Sequence, residues 1–391
     1  MRLRRLFFLA IGILPTLAAP ASHAEEVTVG HIAGSAVSVE GLVQADVNWF
    51  DNDRADLDGD GEAKSGRARQ LRRAELVLKG KAPAGLDWVA GYDAKAEKWL
   101  DVNARYRFGE GRHALQFGQY KQPNSLEENT SSWSNDFISK AMVTNTFALG
   151  RRLGVGYGYR AADWGLMVSA FGDELDEDGV KGKGIAARGR FVPVNETGRI
   201  LHFGLSHARH RAEQAGTRPG GEEVARFRSR PNADLAAIRL VDTGPLPFSE
   251  RIDTTGVEAL WAQGPLKLQA EYVRSRVARS NGLPDFAGKG AYASALWNLT
   301  GETWGYKDGI PTTPSATAPG RGLWQLGVRR DAIDLDDGPV AGGRMDAWTF
   351  GANWYWQRHF KVAFNHVVVS SERGGIRDNP DITELRLQFQ W

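Results

Sequence analysis

The sequence predicts an all-β fold: a transmembrane antiparallel β-barrel of 16 strands, with 18 as the alternative count, and one long connection folded inward. Three observations carry the barrel. In the last ten residues, Leu385, Leu387, Phe389 and Trp391 share one face of an extended chain, while Glu384, Arg386, Gln388 and Gln390 share the other. The same period of two recurs from residue 36 onward, and the chain opens with the features of an export signal. A soluble sheet can also alternate when one face is solvated. A bilayer admits strands only as closed barrels, because an open edge leaves backbone groups unpaired in hydrocarbon.

The export signal is read from Arg2, Arg4 and Arg5, the apolar run Leu6 to Leu14, and the small-residue site Ser22-His23-Ala24. The run falls short of the roughly 20 apolar residues a membrane-spanning helix needs. Cleavage after Ala24 removes three of 49 basic residues and no acidic one, leaving 46 against 47 acidic residues. Net charge therefore points to no anionic partner, nucleic acid included; only the placement of charges can. The chain has no cysteine, so disulfides and thiolate metal sites are excluded.

After a polar lead-in at 25–35, the barrel is expected over 36–391. Its first strand alternates Val37, Val39, Val43, Val47 and Trp49 with Ser38, Glu40, Gln44, Asp46 and Asn48. An acidic loop, Asp51 to Glu62, follows. The segment from Arg67 to Lys81 puts Ala74, Leu76 and Leu78 toward lipid and Arg67, Arg69, Arg73, Glu75 and Lys79 inward. Strands then follow near 86–92 and 100–108, the latter with Leu100, Val102 and Ala104 outward and Asp101, Asn103, Arg105 and Arg107 inward. Further strands are expected at 114–121 and 151–160. Between these last two, residues 122–150 lose all alternation, and a loop that long in a compact protein is usually functional. Twelve later segments complete the count, among them 223–229 and 235–241, where boundaries between 210 and 250 are poorly defined.

Several blocks, in order, resemble the phosphate-selective porin O and P family. They include Arg72-Arg73-Ala74-Glu75-Leu76, Gly118-Gln119-Tyr120-Lys121-Gln122-Pro123, Leu126-Glu127-Glu128-Asn129 and Gly150-Arg151-Arg152-Leu153-Gly154. Phe227-Arg228-Ser229-Arg230-Pro231, Val241-Asp242-Thr243-Gly244 and Trp261-Ala262-Gln263-Gly264-Pro265 continue the series. The resemblance implies a trimeric 16-stranded outer-membrane channel, its pore narrowed by an inward loop, passing phosphate or polyphosphate along arginines and lysines. The chain departs from that pattern where Ser139-Lys140 replaces a Glu-Arg pair, where Arg152 replaces an Asp, and where Glu75 replaces an Arg.

The expected anion path is Arg67, Arg69, Arg73, Lys79, Arg105, Arg107, Arg152 and Arg160, with Lys121 and Lys140 at the bend and in the loop. Arginine suits the task because its planar fork meets phosphate oxygens in pairs and stays charged. Conduction also needs several moderate sites in series rather than one tight site. The alternative is a general or sugar channel in which Glu75, Asp87, Asp93, Glu97 and Asp101 neutralise these charges. The expected partners are small anions, outer-membrane lipid with lipopolysaccharide, and two further copies of the chain. No cofactor is expected. Asp56, Asp58 and Asp60 open like a calcium loop, but its twelfth position is Arg67 rather than a bidentate Glu, so a solvated acidic loop and no metal site is expected. No nucleophile elbow or zinc-protease helix occurs, and His202, His207, His210 and Asp253 read as lumen or interfacial residues rather than an active site.

Overall fold

The computed structural model describes residues 27–32, 34–61, 65–176, 182–214, 223–318 and 320–391; the expected signal at 1–24 and Glu62 lie outside them. Sixteen strands close into one antiparallel barrel. They are β1 (Ser35–Asp51), β2 (Ser65–Lys81), β3 (Leu86–Asp93), β4 (Lys98–Phe108), β5 (His113–Lys121), β6 (Arg151–Arg160), β7 (Trp164–Phe171) and β8 (Gly184–Glu196). The second half is β9 (Arg199–His210), β10 (Ser249–Gln263), β11 (Leu266–Arg279), β12 (Phe286–Asn298), β13 (Leu323–Asp337), β14 (Val340–Trp356), β15 (Phe360–Arg373) and β16 (Asp381–Gln390). Each strand pairs with the next, and β1 pairs with β16 from Leu42↔Gln390 to Asp51↔Asp381.

Two short strands, Val27–Ile32 and Ile376–Asp378, join the same sheet without widening the ring. The first pairs with the base of β1, just where β16 ends. There Trp391 exchanges backbone hydrogen bonds of 3.1 and 3.2 Å with Gly41, and its indole lies where a Gly41 side chain would be, 2.0 Å from an ideal Cβ. Gly41→Leu is therefore expected to displace the terminal aromatic at a cost of about 1–3 kcal/mol. Fewer molecules should then keep their folded migration on unheated gels.

Outward residues form an apolar belt, with Leu387 54% and Phe389 38% exposed. At the end where most connections are short, Trp324, Trp354, Trp356, Phe360, Phe389 and Trp391 follow one another with ring centroids 5.0–6.2 Å apart. An aromatic girdle with mostly short turns marks the periplasmic rim; the long connections 122–150 and 211–248 lie at the extracellular end, and the long connection 299–322 turns at the periplasmic end.

The strands expected at 223–229 and 235–241 are not barrel strands. They belong to the connection 211–248, where, among the described residues, Arg228–Ser229 pairs only with Val241–Asp242. Their alternation has another origin. Phe227, Ala233, Ala236, Leu240 and Val241 are buried in one apolar cluster with Met142, Val143 and Phe147 and with the wall residues Tyr292, Ile333 and Met345. One face of the connection is apolar because it packs on protein rather than on lipid. Removing these two segments gives 16 strands rather than 18.

Candidate functional site

A cavity of about 610 Å³ lies between the wall β2–β6, residues 129–134, and residues 307–313 of the connection between β12 and β13. Seven basic side chains line it: Lys79, Lys81, Arg105, Arg107, Lys121, Arg151 and Lys307. Four acidic ones, Glu40, Glu75, Asp87 and Asp101, oppose them, an excess of three positive charges. Lys79 pairs with Glu40 at 2.5 Å, Arg107 with Asp87, and Arg151 with Asp101 at 2.8 Å. Arg105 differs. It donates to Gln116 Oε1 at 3.1 Å and makes no ion pair among the described residues. Asn103, its neighbour on the same face, accepts from Gln116 Nε2 at 2.9 Å, so a neutral amide pair holds the guanidinium in place.

Alternation is what brings Lys79, Arg105 and Arg107 inward, and it fails where the strands bulge. Gln44 pairs with Arg73 but Ala45 with Leu71, so Arg72 is an extra residue in β2. A bulge reverses the faces beyond it. Arg67 and Arg69 therefore stand opposite Trp49 and Val47 on the outer surface, both exposed, and the inward placement expected for them is corrected. Arg72 instead reaches Asp234 of the 211–248 connection at 3.0 Å. A second irregularity near Gly91 turns Leu100, expected to face lipid, into the cavity beside Asp101.

The other expected residues are placed as follows. Arg73 is bonded to Glu75 at 2.7 Å. Arg152 turns to Glu174 at 2.6 Å and does not line the cavity; its neighbour Arg151 does. Arg160 pairs with Asp308 at the periplasmic mouth at 3.0 Å. Lys121 donates to the carbonyls of Glu128 and Thr130 at 2.6 and 2.9 Å, and Lys140 pairs with Glu128. Burial alone would raise the Glu128 carboxyl, but Lys140 and Lys121 hold it down to about 2.

Because that folded value lies below the ordinary 4.5, the stabilisation is complete above pH 4.5 and is lost as pH falls toward 2. Single-channel current should accordingly be quiet from about pH 6 down to about 4.5. It should grow noisy below that as the two lysines lose their counter-charge. Uniform noise across the whole range would show that Glu128 does not hold the segment.

The segment 122–150 is fastened to wall residues on the far side. Glu271 of β11 accepts from the backbone N–H groups of Leu126 and Glu127 at 2.9 and 2.7 Å. Lys267 grips Asp136 at 2.7 Å, and Asn353 donates to the Asp136 carbonyl at 2.7 Å. Arg329 bonds Asp331 and the Ser139 carbonyl, and Arg386 bonds Asp46 and the Ile138 carbonyl. Sequence reasoning did not single out Arg329 or Arg386, although strand alternation gives both the inward face. It also missed the arginines of the second connection. Arg239 has its guanidinium pKa lowered by burial and by Arg230 and Arg228 close by, with Asp242 countering.

Asp56, Asp58 and Asp60 place carboxylate oxygens within 4.8 Å of one another. The turn bonds itself internally, with Gly59 and Gly61 donating to Asp56 and the Arg67 amide donating to Asp58. The four acid–base candidates do not converge. His202 is buried between Tyr306 and Glu258, whereas His207 and Asp253 lie 3.6 Å apart on the outer face and His210 bonds a backbone carbonyl.

Comparison with known proteins bears on what this wall encloses. The chain is 30% identical over 368 residues to an uncharacterised protein of Caulobacter vibrioides, covering 87% of this chain and 70% of that one. It is 25% identical over 391 residues to porin O of Pseudomonas aeruginosa, covering 89% and 87%. Among solved structures, the anion-selective porin from Comamonas acidovorans superposes with a TM-score of 0.57 at 12% identity, over 91% of this chain and all of that one. The fold is that of an outer-membrane channel, not an enzyme. Residues 37–391 match the profile described as phosphate-selective porin O and P, and the chain belongs to that family.

Proposed function

We propose that the channel passes small anions, with phosphate the preferred solute, and that the segment 122–150 sets its narrowest point. The observation that carries this is the cavity below that segment, with three more positive than negative side chains and the Arg105 guanidinium paired to no carboxylate. A cationic wall in a narrow low-dielectric channel concentrates anions, and a few charges there outweigh many at the mouths. Arg105 meets a passing phosphate with the donors that Gln116 leaves free. Lys79, Arg107 and Arg151 already share theirs with carboxylates, so they are weaker relay points, as a conducting path requires. The family resemblance adds polyphosphate as a second solute and a trimer as the assembly.

In a planar bilayer under a potassium chloride gradient, the reversal potential should have the sign of anion preference. Phosphate should reduce the chloride current at sub-saturating concentrations, and Arg105→Ala should weaken that block about tenfold, the worth of one charge-assisted hydrogen bond. The competing reading, a general or sugar channel, draws on the three neutralised pairs at Glu40, Asp87 and Asp101. A cation-selective reversal with no phosphate block would select it.

A further inference from the structure

Just above the apolar belt, the outer surface carries a pair of cations that the channel does not use. Arg274 of β11 stands directly opposite Lys289 of β12, and both are exposed on the lipid-facing side. Like charges directly opposite in an antiparallel pair repel each other and destabilise the sheet. No carboxylate among the described residues forms an ion pair with Arg274. Lys289 has only Asp334, at 3.7 Å, and Asp334 is held more closely by Arg344, at 3.2 Å. Arg274 thus has no counter-charge among the described residues, and Lys289 shares its single carboxylate with Arg344.

Their height identifies what can supply it. Leu266 begins β11 at the periplasmic rim, opposite Trp297, and Arg274 lies eight residues farther along the strand. With about 3.4 Å per residue and a tilt near 40°, that is a rise of about 20 Å, close to the roughly 25 Å height of a barrel's apolar band. Immediately below the pair, Tyr272 is 43% exposed and faces Ala291 across the strands. Two cations therefore sit over a shallow apolar strip at the level of the outer-leaflet headgroups.

We infer that Arg274 and Lys289 form a site for a phosphorylated glycolipid of the outer leaflet. Its phosphate bridges the guanidinium and the ammonium, and an acyl chain lies along Tyr272 and Ala291. The charge relieves the cross-strand repulsion, and the shared contact with the apolar strip separates this ligand from free phosphate. Arg67 and Arg69, also outward, face Trp49 and Val47 rather than another cation and form no such pair.

Native mass spectrometry of the full detergent-solubilised channel tests the assignment, with bisphosphorylated lipid A and its dephosphorylated form as probes. The wild-type channel should retain the bisphosphorylated form and release the other. R274A/K289A should bind the former about thirtyfold more weakly, as the loss of two near-surface cations implies, with R67A/R69A unchanged and chloride conductance unaltered in both. Equal retention of the dephosphorylated lipid by wild-type protein would overturn the site without recourse to any variant. So would unchanged binding by R274A/K289A, an equal loss in R67A/R69A, or displacement of the lipid by millimolar inorganic phosphate.

Discussion

Deleting residues 131–145 is expected to raise single-channel conductance several-fold and to abolish the block of chloride current by phosphate. The segment lies against the cavity through Ser131, Ser132, Trp133 and Ser134, and its far side is anchored to Lys267, Asn353 and Arg386. Its removal opens the lumen between β2–β6 and β11–β16 to water. The barrel should survive, because all sixteen strands pair with neighbours that the deletion does not touch. It also returns the Lys267 ammonium to solvent, a group now 2% exposed against Asp136. The measurement is a conductance histogram alongside unheated gel migration. A folded protein with unchanged conductance would place the narrowest point elsewhere and leave the phosphate preference without its structural basis.

The second large effect concerns stability. Arg329 and Asp331 have side chains 1% and 0% exposed and are joined at 2.7 Å. Asp331 also accepts from the Met142 amide and from Asn232, so it ties both long connections to β13. Arg329→Met should cost about 3–5 kcal/mol, because a buried carboxylate is left without its counter-charge. The double variant R329M/D331N should recover part of that loss, since asparagine removes the stranded charge, keeps an oxygen to accept from Met142, and can donate its amide to the Asn232 Oδ1 once that side chain turns. Thermal loss of the folded gel band, compared across the three proteins, distinguishes the outcomes. Equal melting of R329M and the parent would show that the pair does not hold the interior.

How much of this could be read from the chain follows from what each feature depends on. Alternation is a local property with a fixed period, so the strands around Val43, Leu76 and Leu387, and the inward faces of Lys79, Arg105 and Arg107, were legible. The break in alternation at 122–150 was equally plain. A bulge is not legible in this way. Nothing near Arg72 announces the extra residue, and one such residue moves Arg67 and Arg69 from lumen to lipid. The alternation at 223–241 misled for a related reason, since a period of two records that one face is buried but not whether lipid or protein buries it.

By itself, then, the sequence determined the barrel and the inward faces of Lys79, Arg105 and Arg107, because these depend on hydrophobic period. Only the tertiary structure decided which cations remain available to a solute. Ion pairing joins residues far apart in the chain: Arg386 with Asp46, Arg72 with Asp234, and Lys267 with Asp136. Closing the barrel leaves Arg105 without such a partner among the described residues, because its neighbour is the neutral Gln116.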